Sequence, residues 1–146
     1  FVLAGEEYGV DILRVQEIRG WQPCTDLPNT PPHVVGVMNL RGAIVPIVDL
    51  RMRLGLPRVD YDATTVVVVL RLHGSRGDRT VGFVVDAVSE VHAIAAEQLR
   101  DPPDLGGHGP IDAVRHLATV DEDKMLILLE VDRLVEDRVN GFEHQS

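Results

Sequence analysis

No segment of this chain carries an apolar stripe at helical spacing long enough to cross over a sheet. Apolar residues come instead in short runs of Val, Ile and Leu, each bounded by Gly, Pro, Asp or Asn. Val, Ile and Thr are stiff at χ1 and suit the pleated surface of a strand. About ten such runs follow one another, with turn signals roughly every 8–12 residues, the pattern of a sandwich or barrel. A parallel sheet would need crossover helices, and no βαβ unit is visible. The chain has 146 residues, 45% of them apolar, which suffices for one domain or two small lobes on a shared core.

The runs place the elements. Phe1 to Ala4 and Tyr8 to Ile12 read as a hairpin, and Val15 to Ile18 as a half-buried strand. Trp21 to Pro32 is a Pro-rich connection, and Thr30-Pro31 resembles the opening of a helical turn over His33 to Val37. Gly36 to Leu40 and Ala43 to Leu50 read as strands around Arg41-Gly42, with Pro46 marking an edge or a bulge. Arg51 to Leu54 fits one helical turn stopped by Gly55. Pro57 to Asp62 is the best internal boundary. Thr64 to Leu72 is apolar on both faces, and Val81 to Val88 returns after a hairpin loop over His73 to Arg79. Beyond an irregular loop at Asp101 to Pro110, Val114 to Val120 and Met125 to Val131 form a last hairpin. A terminal helix is expected over Asp132 to Val139.

Charge narrows the function. Fourteen Lys and Arg against 23 Asp and Glu give a net charge of −9, which repels phosphate backbones and anionic lipid. Nucleic acid is therefore a poor partner. Apolar runs such as Val66 to Leu70 are far too short to span a bilayer, which argues against direct membrane insertion. Cys24 is alone, so no disulfide framework or thiolate metal site is available, and a reducing cytoplasm is the natural compartment.

Catalytic chemistry is hard to find. The six His residues fall in no metal-binding spacing, no GxSxG elbow occurs, and Gly106-Gly107-His108-Gly109 lacks the Lys-Ser/Thr of a phosphate loop. Neither a metal nor a cofactor is expected. Asp49 and Asp86 stand inside apolar strands and read as structural carboxylates. One dense segment remains, Asn39-Leu40-Arg41-Gly42. It is either a hairpin turn with a solvated Arg or a partner-binding tip, since Arg suits recognition of carboxylates.

Several segments resemble one known family. Glu7-Tyr8-Gly9-Val10-Asp11-Ile12-Leu13-Arg14-Val15-Gln16-Glu17-Ile18-Arg19-Gly20 closely resembles the opening of the bacterial chemotaxis coupling, or adaptor, protein CheW family. Asn29-Thr30-Pro31 and Gly36-Val37-Met38-Asn39-Leu40-Arg41-Gly42 resemble its central signature, which Ile44 to Arg51 continues without a gap. Gly82 to Val91 and Lys124 to Leu129 resemble its second signature and last core strand.

The resemblance implies an all-β fold of two SH3-like five-stranded barrel lobes packed on a shared core. As one domain over residues 1–146, it would centre one lobe on 10–57 and the other on 64–135, with any swap of terminal strands left open. It implies a non-catalytic adaptor without a cofactor, coupling the cytoplasmic tips of methyl-accepting chemoreceptors to the histidine kinase CheA. Such a protein is cytoplasmic and recruited to membrane-associated receptor arrays. It places Arg41 and Glu17 in the family's receptor-coupling region, with Val15 as an apolar contact and Asn39, Leu40 and Gly42 completing the receptor- and kinase-coupling signature. The alternative is a regulatory domain of the same fold within a larger chemotaxis protein of CheA or CheV type. Arg115-His116-Leu117-Ala118 departs from the family, standing where relatives usually carry glycines.

Overall fold

The computed structural model describes residues 1–75, 77–103, 112–121 and 123–135. Ten strands appear among them: β1 (Val2–Leu3), β2 (Glu6–Gly9), β3 (Val15–Gly20), β4 (Val34–Leu40), β5 (Ala43–Asp49), β6 (Val66–Gly74), β7 (Gly77–Val85), β8 (Leu99–Arg100), β9 (Val114–Asp121) and β10 (Lys124–Leu129). One helix, α1 (Leu50–Arg53), and short 3-10 turns complete the elements. The strands form two five-stranded sheets, β3-β6-β7-β5-β4 and β1-β2-β10-β9-β8. The expected all-β class with two five-stranded lobes is thus what the chain adopts.

The first sheet is apolar on both faces. Residues paired directly across strands share a face, so Ile18, Val68, Phe83 and Val48 line one side, and Val69, Gly82 and Ile47 the other. Val48, Val68, Leu70 and Phe83 pack with Leu3, Leu129, Val131 and Leu134 in a core shared between the two sheets. On the reverse face, Val45, Ile47, Val67, Val69 and Val84 form a second core with Met38 and Leu40, covered by Trp21, Cys24, Val35 and Tyr61. Four of the nine residues in β6 form an unbroken buried run, Val67 to Leu70, as its two-sided apolar sequence requires.

This pairing corrects the expected lobe division. The Pro57–Asp62 segment does not separate lobes, because β6 and β7 pair with β3 and β5 instead of joining β9 and β10. A strand apolar on both faces belongs in a sheet interior, and β6 finds its neighbours in β3 and β7. In the 54–65 connection Leu54 and Leu56 pack on the shared core, while Tyr61 lies over the second core and meets Trp21 edge-on at 4.5 Å. The chain passes to the second sheet after Val85. The terminal strands β1 and β2 join that C-terminal sheet, β2 running parallel to β10.

Three local expectations also change. Val34 to Val37 is strand, not a helical turn. Gly36 approaches the 21–32 connection so closely that a Cβ there would stand within 2.3 Å of the Thr25 carbonyl oxygen. Thr25 and Val37 exchange backbone hydrogen bonds of 2.9 and 2.8 Å, a bridge that extends the sheet edge. Pro46 lies inside β5 just before its pairing with β7 begins at Ile47, and the irregularity falls opposite, between Val34 and Gly36. The hairpin after β6 is tight, since pairing continues to Gly74–Gly77. The expected loop and terminal helix fall largely outside the described residues; Val131–Arg133 is a 3-10 turn.

Polar clasps fasten the assembly. Asp49, 1% exposed, caps α1 by accepting from the Met52 N–H at 3.4 Å and takes the Tyr61 hydroxyl at 2.7 Å. Asp86 accepts two hydrogen bonds from Arg51, at 2.8 and 2.6 Å, and one from the Ala4 N–H, tying α1 to the β1–β2 turn. Arg14 grips Asp132 in the same two-pronged way, at 2.7 and 2.9 Å, and Asp132 also takes the His73 N–H. Both Asp49 and Asp86 are structural, as their positions in the sequence suggest, and Arg51 bonds to Asp86.

Two stability outcomes follow. Asp49→Ala strands the Tyr61 hydroxyl and uncaps α1, and should lower unfolding free energy in urea by about 1–3 kcal/mol. The hydrogen bonds of Arg51 and Arg14 hold the Asp86 and Asp132 carboxyls below the usual carboxylate range. Folding therefore favours their ionised forms. That contribution is complete above the unfolded-chain value near 4 and is lost as pH falls from about 5 through the lower folded-state values. Urea unfolding between pH 7 and 3 should show this acid limb, and it should be shallower in an Asp86→Asn, Asp132→Asn double variant. An unchanged limb would remove both clasps from the account.

Candidate functional site

The Asn39–Gly42 signature folds into a two-residue hairpin turn. Leu40 pairs with Ala43, leaving Arg41 and Gly42 between them at φ +55° and +89°. Positive φ at both positions is what a type I′ hairpin demands, and it explains Gly42. Asn39 Oδ1 accepts the Gly42 N–H at 2.9 Å and braces the turn, while Leu40 is buried in the second core. The Arg41 side chain, 83% exposed, projects from the tip.

Glu17 comes to meet it from the far edge of the same sheet. Its carboxylate lies 3.7 Å from Arg41 Nη2 and 3.5 Å from Arg19 Nη1. Since β3 and β4 are the two edge strands, the Arg41–Glu17 contact spans the open side of the curled sheet. Such an exposed pair is worth only about 0–1 kcal/mol to folding.

Val15 is not part of this cluster. Val15 pairs with Leu70 and Glu17 with Val69, so Gln16 is an extra residue in β3, a β-bulge. Regular alternation would put Val15 and Glu17 on one face. The bulge turns Glu17 and Arg19 to the Arg41 side and leaves Val15 and Ile18 on the other. Of the six signature residues, the structure therefore brings Arg41 and Glu17 together, gives Asn39, Leu40 and Gly42 the task of shaping the tip, and places Val15 elsewhere.

Val15 lines a groove of about 540 Å³ between the two sheets. Val15 and Ile18 of β3 and Val68 of β6 form one wall, and Leu126 and Leu128 of β10 the other. Ile12, Val88 and Val91 add to the rim, and their exposures of 53%, 43% and 74% leave apolar surface open. The Arg14–Asp132 clasp pins the Ile12–Arg14 3-10 turn that carries part of this rim. Sequence reasoning missed the groove, because its walls come from distant segments that only the sheet pairing assembles. The expected strand Val81 to Val88 also ends early, at Val85, which frees Val88 and Val91 for the rim.

No group of metal-ligating side chains occurs among the described residues. No helix among them is long and apolar enough to cross a membrane. Burial pushes the Cys24 thiol up, away from the reactive thiolate form. The arrangement offers two surfaces, one charged and one apolar, on opposite faces of β3.

Comparisons with known proteins bear on these surfaces. The profile of a family described as CheW-like domain matches residues 1–139. A protein of Klebsiella aerogenes named chemotaxis protein CheW is 46% identical over 135 residues, 92% of this chain and 78% of that protein. The chemotaxis protein CheW of Rhizobium meliloti is 36% identical over 132 residues, covering 90% of this chain and 82% of its own length. The crystal structure of a scaffolding protein CheW from Thermoanaerobacter tengcongensis superposes with a TM-score of 0.82 at 32% identity, covering 93% of this chain and 89% of that one.

Proposed function

Because the chain belongs to the CheW-like family of chemotaxis scaffold proteins, we propose that it joins the cytoplasmic tips of methyl-accepting chemoreceptors to the histidine kinase CheA, holding one partner on each face of β3. The observation that carries this reading is the bulge at Gln16, which gives one strand two unlike contact surfaces. An adaptor must bind two partners at once without competition between them, and opposite faces meet that need.

The chemistry of the faces divides the partners. The groove is a long apolar trough with open rim residues, suited to the apolar ridge of a helical receptor tip. The Arg41–Glu17 face is a hairpin tip with opposite charges held side by side. It suits the kinase, whose regulatory domain shares this fold and would present matching turns and charges in place of a helical ridge. Arg41 supplies a planar guanidinium for a partner carboxylate, and Glu17 holds it in one orientation. Such an adaptor performs no catalysis and works in the cytoplasm, at receptor arrays beneath the membrane.

Separate titrations with a soluble receptor-tip fragment and with the kinase regulatory domain test the division. Arg41→Ala should weaken kinase binding by about 2 kcal/mol, roughly thirtyfold, with little change in melting temperature or receptor affinity. Arg41→Lys should recover only part of the loss. Val91→Glu, a charge on the groove rim, should weaken receptor binding and spare the kinase. Variants that lose both partners together would merge the two surfaces into one and defeat the reading.

A further inference from the structure

One polar group lies inside the apolar groove without a role in the fold. The His92 side chain, 20% exposed, lines the groove, and its Nε2 is buried without a hydrogen-bond partner among the described residues. Glu90 Oε1 stands 3.7 Å from that nitrogen, too far for a hydrogen bond but within range of an imidazolium. Glu90 itself is 73% exposed. The other titratable or charged groups on residues lining the groove are the Phe1 α-amino group, which donates to the Tyr8 carbonyl, the Tyr8 hydroxyl on β2, Asp11 beyond it, and Arg115 and His116 on β9. Arg115 is committed to Glu130 at 2.9 Å.

We propose that His92 is a proton-operated gate on the groove, which accepts an apolar occupant while the imidazole is neutral and releases it when the imidazole is protonated. The inference rests on the reading of the groove as a docking site. In the free protein, the exposed fifth of the ring meets water in the groove and the Glu90 carboxylate faces the buried Nε2, so together they can accommodate an imidazolium. An apolar occupant covers the groove, removes that water and leaves the charge desolvated, while the neutral ring is tolerated against Val and Leu. The occupant therefore selects the neutral form, and by linkage its affinity falls as protons bind. A site open only to the neutral form weakens about tenfold one pH unit below the midpoint of the titration.

Two probes test the gate, the uncharged apolar dye Nile red and the soluble receptor-tip fragment, each titrated against the whole chain at pH 8.0 and 5.5. Both should bind several-fold more weakly at pH 5.5. His92→Leu should bind within about twofold at the two pH values, with His92→Gln as a second variant should the first fold poorly. His116→Gln should keep the full pH dependence. Nile red that binds equally at both pH values or not at all, or a pH loss that persists in both His92 variants, overturns the gate. A gated response to Nile red with no receptor binding at pH 8.0 upholds the gate and removes the receptor from the groove.

Discussion

Everything in this fold answers to one constraint: the sheet β3-β6-β7-β5-β4 is apolar on both faces and must be covered twice. Its concave side is filled by its own side chains and roofed by Trp21 and Cys24 of the 21–32 connection and by Tyr61. Its other side takes the second sheet, built from the two ends of the chain. Hydrophobic burial drives both coverings, and it is indifferent to direction. The clasps at Asp86 and Asp132 supply direction, because each fixes a guanidinium to a carboxylate in one geometry and joins elements far apart in sequence.

The coverings are incomplete, and the gaps are where function is available. At the open side of the curled sheet, the hairpin tip of Arg41 meets Glu17 across the two edge strands. Between the sheets, the apolar groove remains. A single extra residue, Gln16, assigns neighbouring residues of β3 to one gap or the other. The same hydrophobic arithmetic that closes the core thus leaves an apolar surface and a charged surface back to back, which is the minimum an adaptor requires.

Much of the fold was legible in the sequence, since strands announce themselves by short β-branched runs and by turn residues. The Asn39–Gly42 turn was legible for the same reason, as Gly42 and Asn39 serve a backbone with positive φ. The helical turn expected over His33 to Val37 failed because the close approach of Thr25 to Gly36 makes that stretch a bridged strand. The lobe division failed because Pro and Asp at 57–62 mark a surface segment without saying which strands pair around it. The separation of Val15 from Glu17 was hidden, because a bulge changes which face a residue takes without changing composition. Arg51 binding Asp86 rather than its near neighbour Asp49 lay equally beyond reach, for contacts 35 positions apart are set by the folded path.

The central claim is that β3 presents two independent surfaces, and sedimentation velocity tests it directly. The chain is saturated with the receptor-tip fragment, and the kinase regulatory domain is then added. Independent surfaces predict a further boundary shift to a complex holding one copy of each protein, with kinase affinity unchanged by the receptor fragment. Displacement of the fragment by the kinase domain, with no ternary boundary, would contradict the account.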